Sequence, residues 1–106
     1  MAREKFQTLT EQMFYILLAL QSECCGVDVM ERVSRMTGGR VAVGPGTLYS
    51  LLDSFCGEGF IRETACVGRR RSYVLTVRGR LRLEEEYRRI EQQVEDYRRF
   101  KEGGTP

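Results

Sequence analysis

Two short runs in this chain carry the residue types suited to holding an anion: Gly44-Pro45-Gly46-Thr47-Leu48-Tyr49 and Gly68-Arg69-Arg70-Arg71. Proline is tolerated at the first position of a helix, where its missing N–H costs nothing, and the flanking glycines allow another backbone to come close. The N–H groups of Gly46 and Thr47 are then free to meet a phosphate at the positive end of the helix dipole, with the Thr47 and Tyr49 hydroxyls beside them. Consecutive arginines repel one another unless a polyanion is present, and each guanidinium binds phosphate as a fork. The chemistry these residues suit is recognition of a phosphate backbone.

Charge is distributed to match. The net charge is only +2, but Arg62, Arg69, Arg70, Arg71, Arg78 and Arg80 oppose only Glu63 between positions 62 and 80, while the residues before them are slightly acidic. A basic patch on a near-neutral chain points to a local polyanion contact. Catalysis is not expected. The chain has no histidine, and no Ser or Cys lies in a nucleophile motif. Cys24, Cys25, Cys56 and Cys66 lack metal-ligand spacing, so neither a metal nor a cofactor is expected. No apolar run reaches the roughly 20 residues of a membrane span, and Met1-Ala2-Arg3-Glu4-Lys5 is too polar to open a signal peptide. The expectation is a soluble cytoplasmic protein with no membrane partner.

The elements that must position these runs follow from period and punctuation. A chain of 106 residues has the length of one domain. Helix one is expected from Leu9 to Ser22, opened by a Thr8-x-x-Glu11 capping box, with Leu9, Met13, Ile16, Leu17 and Leu20 inward and Phe14, Tyr15 and Leu18 widening the apolar surface. Gly26 separates it from helix two, whose buried face is Val29, Met30, Val33 and Met36, and Gly38-Gly39 caps that helix. Helix three starts at Pro45 and ends at Gly59, burying Leu48, Leu51, Leu52 and Phe55 and leaving Thr47, Ser50 and Ser54 on another side. Phe60 to Thr64 and Arg71 to Thr76 read as strands around a loop over 65–70.

Three helices followed by such a hairpin define a mainly α, α+β winged helix-turn-helix over 1–76, with helix three in the major groove and the wing along the backbone or minor groove. Thr76 is placed to cap a last helix from Val77 to Lys101. Leu83, Tyr87, Ile90, Val94 and Tyr97, continued by Phe100, make a heptad seam that a compact domain cannot cover, so residues 77–102 are expected to dimerise. Residues 103–106 read as a disordered tail.

These segments resemble the PadR family of bacterial transcriptional regulators over nearly the whole chain. Leu9-Thr10-Glu11 with Tyr15-Ile16-Leu17-Leu18-Ala19-Leu20, Gly44-Pro45-Gly46-Thr47-Leu48-Tyr49, Glu58-Gly59-Phe60-Ile61, Arg70-Arg71-Ser72-Tyr73 and Leu75-Thr76-x-x-Gly79 are similar to its successive signatures. The resemblance implies a homodimeric repressor that binds double-stranded DNA and is released by a small aromatic or drug-like effector near the dimer interface. It assigns Thr47 and Tyr49 to recognition-helix contacts and Gly68 with Arg69, Arg70 and Arg71 to the wing. The short members have a single C-terminal dimerisation helix, as here. The chain departs from the family at Gly26-Val27-Asp28-Val29, where Gly-Tyr-Glu-Ile is usual, and has no tryptophan for an indole sandwich.

The expected DNA-contact set is therefore Gly46, Thr47, Tyr49 and Ser50 on helix three, with Gly68, Arg69, Arg70, Arg71 and Tyr73 at the wing. Tyr49 lies off the apolar face of its helix, which favours contact over core packing. An effector site lined by Phe6, Met13, Phe14, Tyr87, Ile90 and Tyr97 is expected near the seam, in competition with plain packing. Two other classes compete: a winged-helix protein–protein adaptor, against which the basic wing argues, and a regulator responding to thiol oxidation or a soft metal through Cys24 and Cys25.

Overall fold

The computed structural model describes residues 8–103. The elements run α1 (Glu11–Ala19), β1 (Cys24–Cys25), α2 (Gly26–Met36), α3 (Pro45–Glu58), β2 (Ile61–Val67), β3 (Arg70–Leu75) and α4 (Val77–Lys101). The strands form one antiparallel sheet in the order β1-β3-β2. This is a winged helix with a long C-terminal helix, α+β in class.

Helix α1 begins two residues later than its threonines suggested. Its cap is Thr10, not Thr8: the Thr10 hydroxyl accepts from the Met13 N–H at 3.2 Å, and the Met13 sulfur takes the Thr10 N–H in return. A thioether thus takes the place that Glu11 was expected to fill. Leu9 is buried ahead of the helix, and the last turn closes at Leu20 instead of Ser22. Gly26 is the first residue of α2 and not a separator. Met36 is exposed, because α2 ends there and Thr37 takes over the inward position. The buried Thr37 hydroxyl donates to the Val33 carbonyl at 2.9 Å and accepts from the Val41 N–H at 3.1 Å, which satisfies two backbone groups where the chain turns toward α3.

Helix α3 keeps its expected bounds. Pro45 opens it, and Gly59 closes it in the left-handed region at φ +78°, where a side chain would be strained. Leu48, Leu52 and Phe55 are wholly inaccessible and meet Ile16, Leu17, Leu20 and Ile61 in one core.

The hairpin is longer than its composition indicated. Ala65, Cys66 and Val67 pair with Ser72, Arg71 and Arg70, so the loop shrinks to the turn at Gly68-Arg69. A bulge at Thr64 shifts the register. Strand β1, absent from the sequence-based expectation, pairs Cys24 with Tyr73 and Cys25 with Ser72 and ties the end of α1 to the wing. The Leu75 N–H donates to the Leu20 carbonyl at 2.7 Å and reinforces that tie.

Thr76 caps α4 as expected, accepting from the Gly79 N–H at 3.0 Å and donating to the Gly59 carbonyl at 2.6 Å. A Cβ at Gly79 would collide with the Phe60 carbonyl oxygen, so the helix leaves the domain at this close approach. Glu86 is 1 % exposed on the inner side of α4. Burial opposes its charge, but hydrogen bonds from Arg89 and the Leu9 backbone N–H, with the nearby Arg89 and Arg82 charges, outweigh it and hold the carboxyl below its usual range. This clasp joins α4 to the segment that leads into α1. The expected tail falls mostly on residues 104–106, outside the described residues.

Candidate nucleic-acid interface

The first turn of α3 has no side-chain cap, and helix geometry leaves the Gly46 and Thr47 N–H groups without intrahelical partners. Gly44 flanks them in extended conformation, and the first chain-closing bond is from the Leu48 N–H to the Gly44 carbonyl at 2.9 Å. Gly46, Thr47 and Ser50 are exposed on this end. Burial of Leu48 and Leu52 fixes the helix about its axis, so these groups keep facing outward.

Beside this end stands the wing. A cavity of about 290 Å³ lies between the start of α2, α3 and the hairpin, and its walls include Tyr49, Asp53, Arg69, Arg70, Arg71 and Tyr73. The structure therefore brings together residues from three separate elements, while Gly46, Thr47 and Ser50 occupy other positions on α3. Gly68 adopts φ +62° at the hairpin turn, a conformation natural to glycine. Tyr49 is 45 % exposed, in keeping with its place off the core face.

Tyr73 differs from its expected role as an outward contact. It is 4 % exposed and packs in the core, because its position on β3 faces inward opposite Cys24. Its hydroxyl is a hydrogen-bond partner of the Arg71 guanidinium. Burial raises the phenol above its ordinary value, partly offset by that hydrogen bond. Tyr73 therefore supports an arginine and leaves the outer surface to it.

Three residues near the cavity escaped sequence reasoning. A Cβ at Gly26 would come within 3.2 Å of the Tyr49 ring, so glycine lets that ring close over the start of α2. Asp28 lies 3.7 Å from Arg70, and Glu63 lies 3.9 Å from Arg71. For Asp28 the only signal was the departure at Gly26-Val27-Asp28-Val29; Glu63 was visible as the lone acid among arginines.

The second surface is α4. Leu83 packs against the core, whereas Ile90, Tyr87, Val94, Tyr97 and Phe100 are between 37 % and 68 % exposed. Among the proposed effector residues, Phe14, Tyr87 and Ile90 line a cavity of about 370 Å³ with Leu9, Tyr15 and Arg89. Met13 is spent on the Thr10 cap, Tyr97 packs on Phe100 at 6.0 Å between ring centroids, and Phe6 lies outside the described residues. The four cysteines are free thiols; Cys24 is buried, which raises its pKa despite Arg32 nearby. Among the described residues there is no cluster fit for a metal, and no helix is long and apolar enough to cross a membrane.

An uncapped helix start beside a basic hairpin, on a three-helix core, defines the winged-helix class of DNA-binding fold. Solved structures agree on the fold. The chain is similar to a transcriptional regulator from Clostridium thermocellum, with a TM-score of 0.71 at 17 % identity over 85 % of this chain and 91 % of that one. It is similar to a winged-helix DNA-binding protein from STIV, with a TM-score of 0.70 at 20 % identity over 83 % of this chain and 96 % of that one. It is also similar to BpsR of Bordetella bronchiseptica, a protein whose DNA binding is regulated by 6-hydroxynicotinic acid, with a TM-score of 0.65 at 23 % identity over 85 % of this chain and 61 % of that one. No curated protein sequence matches the chain. The family model for PadR-like transcriptional regulators matches residues 16–85, and the chain belongs to that family.

Proposed function

We propose that this PadR-like regulator acts in the cytoplasm as a homodimeric repressor of an inverted-repeat operator. In this reading Gly46, Thr47, Tyr49 and Ser50 present α3 to the major groove, and Gly68 with Arg69, Arg70 and Arg71 rests on the backbone or minor groove. The observation that carries it is the shared cavity: Tyr49 of α3 and the wing arginines face one space, beside a helix start with unused N–H groups. Residues 1–76 form the reading head and residues 77–102 the pairing arm. The exposed seam from Tyr87 to Phe100 supports pairing with a second copy, which sets two heads about one helical turn apart.

Release by a small aromatic or drug-like effector is part of the same reading. The cavity walled by Phe14, Tyr87 and Ile90 supports it, as does the ligand-regulated BpsR among the neighbours. Selection of bound duplexes from a random pool, followed by sequencing, tests the reading directly. An inverted repeat is the expected result, and a pool that never enriches sinks it. Replacing Arg69, Arg70 and Arg71 with glutamate should abolish binding at low salt, and the wild-type log Kd should change with log salt by about 0.9 for each phosphate neutralised.

A further inference from the structure

The three wing arginines are not equivalent. Arg69 sits at the turn and has no ion-pair partner among the described residues. Arg71 lies 3.9 Å from Glu63 and has the Tyr73 hydroxyl as a second neighbour. Arg70 is held from α2: its Nη2 lies 3.7 Å from the Asp28 carboxylate. Asp28 is in the first turn of α2, at the positive end of that helix.

A carboxylate beside a surface that receives phosphates is costly, because it repels the ligand and occupies a cation that would bind it. We propose that Asp28 competes with DNA phosphate for Arg70: it holds the guanidinium in the free protein, and a duplex must displace it. The proposal rests on the DNA-binding reading above. Both side chains of the pair are more than half exposed, at 66 % and 56 %, so water already weakens their attraction and exchange is cheap. A phosphate offers Arg70 a two-pronged contact in return. Arg71 has Glu63 at 3.9 Å and the buried Tyr73 hydroxyl beside it, so it has a second partner besides a carboxylate. The wing therefore has one ready arginine, one braced arginine and one restrained arginine, and Asp28 holds down its attraction to any duplex.

The test is a double-mutant cycle on the full chain, read by fluorescence anisotropy with a labelled random-sequence duplex over a salt series. Circular dichroism confirms that each variant folds. Asp28→Asn is expected to tighten binding about twofold to fivefold at low salt, the scale of one exposed ion pair. It should steepen the salt dependence by up to about 0.9. In an Arg70→Met background the same change should give a much smaller gain, and Glu31→Gln, which removes the same charge elsewhere on α2, should give none. An equal gain in both backgrounds means general repulsion and overturns the proposal. So does an unchanged affinity, and so does a weaker one, which would make Asp28 a residue that aims Arg70 at DNA. A wild-type chain that binds no duplex overturns the DNA-binding reading together with this proposal; wild-type binding with uncoupled variants overturns the proposal alone.

Discussion

Helices α3 and α4 both carry apolar residues at helical spacing, yet the chain covers one stripe and leaves the other open. Leu48, Leu52 and Phe55 are inaccessible, whereas Tyr87, Val94, Tyr97 and Phe100 are each about half exposed or more. The difference lies in what the chain places nearby. α3 is followed within a few residues by a hairpin and preceded by two helices, and its buried residues share one core with residues from all of them. α4 has 25 residues, about 37 Å at a rise of 1.5 Å each, and only its first turns lie against the domain. A stripe thus states that something must be covered, and the length of the element relative to the domain decides whether the cover comes from the same chain.

Stability measurements sharpen this contrast. Phe55→Ala, deep under α3, should cost about 3–5 kcal/mol in urea unfolding, enough to leave a small domain partly unfolded. A loss below about 1 kcal/mol would mean that the core is looser than its burial indicates. Glu86→Gln comes next, at about 2–3 kcal/mol, toward the low end for breaking a buried pair, because Arg89 keeps 40 % of its surface and recovers some hydration although Arg82, at 11 %, does not.

The Glu86 effect has a pH signature. The folded carboxyl titrates below its usual range, so its contribution is complete above the unfolded value of about 4.3 and is lost as pH falls through the lower folded value. The wild type and Glu86→Gln should converge in stability in strong acid and diverge toward neutrality. Parallel acid limbs would refute the clasp.

Ile90→Glu should have the smallest effect on the fold, within about 0.5 kcal/mol at concentrations where the chain is a monomer. Light scattering should show a loss of dimer for the same variant, since a charge in the seam is buried on pairing. A variant that stays dimeric would move the interface away from this stripe.

How much of this was legible in the sequence depended on the range of the interaction. The bounds of α3 and α4 were legible because Pro45, Gly59 and Thr76 act on backbone groups within a few residues. The α1 cap slipped because only Thr8 has a glutamate three residues on, whereas the box at Thr10 is closed by the Met13 thioether, a partner outside the usual pattern. Ala65, Cys66 and Val67 read as loop because their strand character comes from Arg70, Arg71 and Ser72 across the hairpin. Glu86 left a fainter trace, a carboxylate beside the seam with arginines three and four residues away, but nothing local says that it is buried.

For the site, residue types and their clustering marked the start of α3 and the arginines of the wing, because helix-end chemistry and like-charge repulsion act along a few consecutive residues. Folding decided which of those groups share a space. It turned Tyr73 inward, closed Tyr49 over Gly26 and set Asp28 against Arg70, since each of these contacts joins elements distant along the chain. Such pairings form when buried side chains fix the angle between packed elements, and no short stretch of sequence contains that angle.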